Sequence, residues 1–173
     1  MAALCLQACN TSPSTTQVLY DFESDDQLDA FHWKCHSLFS IADAYATHGE
    51  KSLKLTLFPS AYPGWSPALK QHNWRGYQSL RLDIYNPEQM PVDLTVRIDD
   101  TKKETGYANR YNKTFQLVPG ENTIEILLDS LTTSVTGRPL NLETIHRFMV
   151  FVVRPDKKIT LYLDNFRLIP FNL

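Results

Sequence analysis

Apolar residues recur at every second position in several short stretches of the chain. Residues 52–58 set Leu53, Leu55 and Leu57 on one side, 79–85 set Leu80, Leu82 and Ile84, and 93–99 set Leu94, Val96 and Ile98. Residues 159–163 alternate again and run into 164–168. Period-two alternation predicts strands with one face in a core and one in water. A short first strand is expected at 18–22. Residues 113–118 and 123–128 flank Pro119-Gly120-Glu121-Asn122 and predict a β-hairpin. The apolar run at 147–153 predicts a central strand. Helical periodicity is weak and confined to 25–31 and 140–145. Eight or so short strands separated by turn residues predict an all-β fold, an antiparallel β-sandwich or jelly roll, forming one domain over 17–173.

Composition narrows the class. The chain is 43% hydrophobic and 21% charged, the balance of an ordered globular protein. A net charge of -2, with both signs mixed along the chain, provides no basic field for phosphate backbones, so nucleic acid is not an expected partner. Residues 1–16 differ in character. Leu6-Gln7-Ala8-Cys9 resembles a bacterial lipobox, and 11–16 would be a polar tether, although no Lys or Arg precedes the apolar part. Residues 1–16 are therefore expected to be a leader remnant or lipoprotein tether, with lipid on Cys9 as the only membrane attachment and an extracytoplasmic location, in the cell envelope or secreted. Cys35, beside Trp33, is expected to be a small buried hydrophobe and Trp33 a core residue. No CxxC pair suggests zinc.

Three segments carry a family resemblance: Tyr20-Asp21-Phe22-Glu23, His48-Gly49-Glu50-Lys51-Ser52-Leu53-Lys54 and Leu161-Tyr162-Leu163-Asp164-Asn165-Phe166-Arg167-Leu168. Their order and spacing resemble the galactose-binding-like jelly rolls of bacterial carbohydrate-binding modules, over about 18–168. The resemblance implies polysaccharide binding without catalysis. It also implies a structural calcium, with carboxylates from Glu23 and Asp164 and carbonyls from Gly49 to Ser52, a donor set of hard oxygens. The plainer alternative makes Asp164 a turn cap and Glu23 a solvated surface acid.

Two groups of residues are candidates for sugar contact. Trp65, Trp74 and Tyr77 sit in turn-rich segments, where flat amphipathic rings suit the C–H face of a sugar. Trp65, between Gly64 and Ser66-Pro67, is expected to be exposed; Trp74 and Tyr77 serve equally well as plugs under one end of the sandwich. The second group is polar: Arg97 and Asp99 point away from the face burying Val96 and Ile98, and a turn at 101–106 returns Tyr107, Arg110 and Asn112 beside them. These side chains read sugar hydroxyls, and the arginine forks also suit acidic polysaccharides. An Arg–Asp staple between strands is the structural alternative.

Catalytic patterns are weak. Asp99 and Asp100 are adjacent and face opposite ways, so they cannot flank one glycosidic bond. Asp83 and Asp99 are a conceivable pair on one polar face. The five histidines show no metal-binding spacing, and there is no G-x-S-x-G elbow. A lyase would have to use Tyr107 or Tyr111 with an arginine. The rival to carbohydrate binding is a protein-interaction or assembly module on the same fold.

Overall fold

Alternation produces burial where the sequence carries it. Leu53, Leu55, Leu57, Leu80, Leu82, Ile84, Leu94, Val96 and Ile98 are all at most 2% exposed. The computed structural model describes residues 15–33, 35–103 and 106–171, and Cys9 lies outside them. The described strands are β1 (Gln17–Tyr20), β2 (Phe31–Trp33), β3 (Ser37–Ala42), β4 (Ser52–Leu57), β5 (Gly64–Pro67) and β6 (Tyr77–Asn86). They continue with β7 (Val92–Asp99), β8 (Tyr111–Leu117), β9 (Gly120–Leu127), β10 (Arg147–Phe151) and β11 (Ile159–Pro170). Every pairing between them is antiparallel. One sheet runs β3-β4-β11-β6-β9, with β1 also on β11; the other runs β2-β5-β10-β7-β8. The fold is an all-β jelly-roll sandwich. Its core lies between the sheets and centres on Trp65, whose indole meets the rings of Tyr20, Phe22, Phe31, Phe148 and Phe166 at 5.5–6.1 Å.

The expected hairpin at 113–128 is not formed. β8 pairs with β7 in one sheet and β9 with β6 in the other, so the turn between them carries the chain across the sandwich. Gly120 takes φ 94, and the Asn122 side chain bonds Val118 N–H and C=O at 2.9 and 2.8 Å, closing the corner. A second crossing, between β6 and β7, is tied to the first. Buried Asn86 donates to Leu117 C=O at 3.0 Å and to Met90 C=O at 3.2 Å. This crossing also puts Asp83 and Asp99 in different sheets, so they do not form a pair on one face.

The helical signal at 25–31 becomes a 3-10 turn, Asp25–Ala30, capped by Ser24. No helix forms at 140–145. Cys35 is half-buried rather than buried, and the Trp33 side chain lies outside the described residues. β5 was not expected, because its four residues end in Pro67 and follow Pro63, which reads as a turn.

Candidate functional site

The outward faces of β8, β7, β10 and β5 line up into rows. Asn112, Arg97 and Met149 form one row and Thr114, Thr95, Phe151 and Gly64 the next, while Asp99 is opposite Arg147. Strand register fixes this arrangement, since each outward residue has an outward neighbour at the paired position. The rows floor a cavity of about 740 Å³. Tyr62 overhangs one side, 49% exposed, with its ring at 5.7 Å from Phe151 in an edge contact. Tyr107, 60% exposed, rises on the other side from a short 3-10 turn, with the Arg110 guanidinium 5.4 Å from its ring centroid. A cavity of about 780 Å³ adjoins at Ser66 and Arg147, and one of about 370 Å³ adjoins at Thr95, Thr114 and Val153. Together they make a furrow along β10. From Arg147 to Val153 it spans roughly 20 Å at about 3.3 Å per residue.

Among the described residues, the charged side chains lining its centre are Arg97, Arg110 and Arg147. Asp99 is 1% exposed and lies beneath them. Arg97 Nε donates to both Asp99 carboxylate oxygens at 3.0 Å, and its Nη2 approaches Oδ2 at 2.8 Å; Arg147 Nη1 is farther off at 3.6 Å. Burial, and then the neighbouring Arg97 guanidinium, pull Arg110 below its ordinary pKa. Asp100 turns to the other side, as the parity of a strand requires. It receives Arg138 through two N–H groups at 2.7 and 3.0 Å and Asn141 N–H at 2.7 Å, which fixes the 138–141 loop. Burial opposes its ionisation, yet these donors hold its carboxyl below the usual value.

The polar group expected from the sequence is thus brought together: β7 pairs with β8, and Arg97, Tyr107, Arg110 and Asn112 all line the central cavity. Asp99 belongs to it only from below, orienting Arg97. The tryptophans require correction. Trp65 is fully buried because it is opposite Val150, an inward position of β10. The neighbouring Gly64 and Ser66 take the outward positions. Trp74 is also fully buried, its Nε1 donating to Gln71 C=O at 3.0 Å, so the plug reading holds for it. Tyr77 is half-buried, packs against the core and belongs to β6 in the other sheet, away from the furrow. Arg147, Met149 and Phe151 were missed as lining residues. Their signal was the apolar run itself, whose second face needed a cover or a ligand.

The four residues expected to hold calcium border the loop between β3 and β4. Glu23 Oε1 accepts from the N–H groups of Glu50 and Lys51, both at 3.0 Å. Buried Asp164 accepts from Thr47 N–H at 2.6 Å and His48 N–H at 2.8 Å. Burial raises its pKa, against the pull of those donors. Ser52 is buried and donates to Ala44 C=O at 2.5 Å. Gly49, at φ 73, lies so close to Glu23 that an added Cβ would stand 2.3 Å from Oε1. Among the described residues no group of three or more His, Cys, Asp or Glu side chains is placed to hold a metal ion.

Known proteins share this architecture. No family model matches the chain. It is 29% identical over 146 residues to Beta-agarase B of Vibrio sp. (strain JT0107), an alignment covering 75% of this chain and 15% of that protein. This chain therefore corresponds to a small part of that relative's length. The structure of an exo-beta-agarase superposes with a TM-score of 0.71 at 17% identity, covering 90% of this chain and 26% of that one. A family 11 carbohydrate-binding module from Clostridium thermocellum, in complex with a beta-1,3-1,4-mixed-linked tetrasaccharide, superposes with a TM-score of 0.63 at 15% identity, covering 90% and 95%. The chain has the jelly-roll β-sandwich fold found in carbohydrate-binding modules and in agarase-associated domains.

Proposed function

We propose that this chain is a non-catalytic carbohydrate-binding domain that seats a polysaccharide in the furrow on the outer face of the five-stranded sheet. The observation that carries the reading is the furrow itself: it is open along β10, floored by Met149 and Phe151, and flanked by exposed Tyr62 and Tyr107. Apolar floor and flat rings suit sugar C–H faces, while Asn112 and the arginines supply polar selection. Among the described residues no pair of carboxylates lines the cavity: Asp99 is buried and held by Arg97, and Asp100 is held by Arg138. Agarose is the first glycan to try, given the likeness to Beta-agarase B.

The test is electrophoresis through native gels containing agarose, mixed-linkage β-glucan or xylan. Retardation in at least one glycan gel is expected, and Tyr107→Ala should weaken it about fivefold for a lost stacking contact of about 1 kcal/mol. Unretarded migration in every gel, together with capture of a protein partner from cell extract, would support the assembly-module reading instead.

Two further features belong to the same proposal. A structural calcium beside Glu23, Gly49, Ser52 and Asp164 is supported by the resemblance of the segments around them. It predicts a melting temperature that rises with added calcium, by about 2.7 kcal/mol of stability at a hundredfold excess over Kd, and an identical curve with chelator would reject it. An extracytoplasmic location, with lipid on Cys9, is supported by the lipobox-like Leu6-Gln7-Ala8-Cys9, and mass spectrometry of the membrane-fraction protein tests it.

A further inference from the structure

We propose that Arg138 is a positioning residue for glycan binding: anchored on buried Asp100, it holds the turn that carries Tyr107 against one side of the furrow. This rests on the polysaccharide reading above. Tyr107 opens a single 3-10 turn, Tyr107–Asn109, whose N-cap residue Gly106 supplies no side-chain hydrogen bond. Asn109 N–H closes the turn on Gly106 C=O at 3.1 Å. One turn of 3-10 helix is marginal by itself, so the direction of an exposed ring on it is set by what the turn leans on.

The turn leans on the segment between β9 and β10. Leu131 and Leu140 are buried at the two ends of that segment, Thr132 bridges Pro139, and Gly137 at φ 68 turns the chain between them. Thr133 N–H donates to Arg138 C=O at 2.8 Å and Arg138 N–H to the Thr133 hydroxyl at 3.0 Å, so the segment closes on itself above the core. Its tip reaches the furrow wall. The Ser134 hydroxyl accepts from Asn112 N–H at 2.7 Å and donates to Asn112 C=O at 3.1 Å, and Ser134 N–H donates to Arg110 C=O at 2.9 Å. Arg138 reaches the Tyr107 turn itself, with Nη2 and Nε donating to Asn109 Oδ1 at 3.0 and 3.3 Å.

The same guanidinium is fixed from behind. Nη1 and Nη2 donate to the two Asp100 carboxylate oxygens at 2.7 and 3.0 Å, and Asp100 is 7% exposed. A planar fork of donors holds a carboxylate and an amide oxygen at once, which the point charge of a lysine does not. Asp100, Arg138 and Asn109 line no part of the central cavity, so their effect on a sugar seated there passes through Tyr107. With the link intact the ring is ordered before glycan arrives. Without it, binding has to order the turn, and immobilising one side chain weakens association by roughly two- to tenfold. The loss is bounded by the contact it serves, about fivefold for the Tyr107 ring.

The experiment is a double-mutant cycle read as dissociation constants from native-gel retardation, in whichever of the agarose, β-glucan and xylan gels retards the wild type most. Arg138→Gln should weaken binding about threefold and Tyr107→Ala about fivefold. In the Tyr107→Ala background Arg138→Gln should cost nothing more, because the ring it positions is gone. Arg138→Gln also strips buried Asp100 of its fork and lowers Tm. Asn109→Ala keeps the Arg138–Asp100 pair, is measured beside it, and should lose about threefold as well. Arg167→Gln breaks the pair with Asp83 on the opposite sheet, and should lower Tm without changing retention. Unchanged binding in folded Arg138→Gln and Asn109→Ala, with Tyr107→Ala weakened, overturns the positioning role and leaves polysaccharide binding intact. Losses that multiply to about fifteenfold in the double variant overturn it too, since Arg138 would then act apart from the ring. So does Tyr107→Ala that binds like wild type, or a loss in Arg167→Gln that matches Arg138→Gln. Wild type unretarded in every gel removes both this role and the polysaccharide reading.

Discussion

Truncating Trp65 to alanine separates a core residue from a ligand platform. The indole is fully buried and touches five aromatic rings from β1, β2, β10, β11 and the Phe22 turn, so Trp65→Ala opens a void where both sheets meet. Loss of transfer free energy together with the cavity left behind costs about 3–5 kcal/mol for Trp→Ala. In a domain of this size each kcal/mol lowers Tm by about 2–4 °C, so a fall of roughly 6–20 °C is expected. Trp65→Phe should cost less, because the indole Nε1–H has no hydrogen-bond partner among the described residues. The assay is urea unfolding followed by far-ultraviolet circular dichroism, with glycan retention measured on the protein that stays folded. A midpoint for Trp65→Ala within about 0.5 kcal/mol of wild type at unchanged slope would place the ring outside the core and refute the register argument.

Gly49→Ala should destabilise by about 1–3 kcal/mol, since the new Cβ meets the Glu23 carboxylate and the residue keeps a left-handed φ; thermal melting checks it, and an unchanged Tm would mean that the loop relaxes freely. Asp99→Asn should cost about 1.5–3 kcal/mol through the lost charge-assisted bonds to Arg97, read by urea midpoint, and should weaken glycan retention by loosening that guanidinium. The Asp100 carboxyl has a depressed folded-state pKa, so its contribution is present above the unfolded carboxylate value near pH 4 and is lost as pH falls below it. The stability gap between wild type and Asp100→Asn should therefore narrow between about pH 5 and about pH 2, and a gap that widens there would contradict the Arg138 pairing.

Strands with strict alternation were legible because one face of each meets the core and the other meets water. Leu53 to Leu57 and Leu94 to Ile98 needed no tertiary information. The furrow's polar group was legible for the same reason, since parity and one short connection bring Arg97 and Asn112 together. Two features were not. Trp65 sits among Pro and Gly residues that signal a turn, and only the pairing with β10 shows that its strand points it inward. The segment from β8 to β9 carries a good hairpin signal, yet local turn chemistry cannot tell whether the second strand returns beside the first or crosses to the other sheet. Met149 and Phe151 were hidden by composition, because a run that is apolar on both faces does not reveal which face lines the furrow.

The central claim is that glycan lies along β10 on the outer face of the five-stranded sheet. The most direct measurement is a titration of isotope-labelled protein with an oligosaccharide of a retained glycan, following backbone amide shifts by NMR. Shifts are predicted over residues 95–99, 107–114 and 147–153, with the Tyr107 and Arg110 region moving most. Shifts confined to the opposite sheet, where Tyr45 stacks on Tyr85 at 3.6 Å and meets Tyr162 edge-on at 4.7 Å, would show that the furrow is not the binding site.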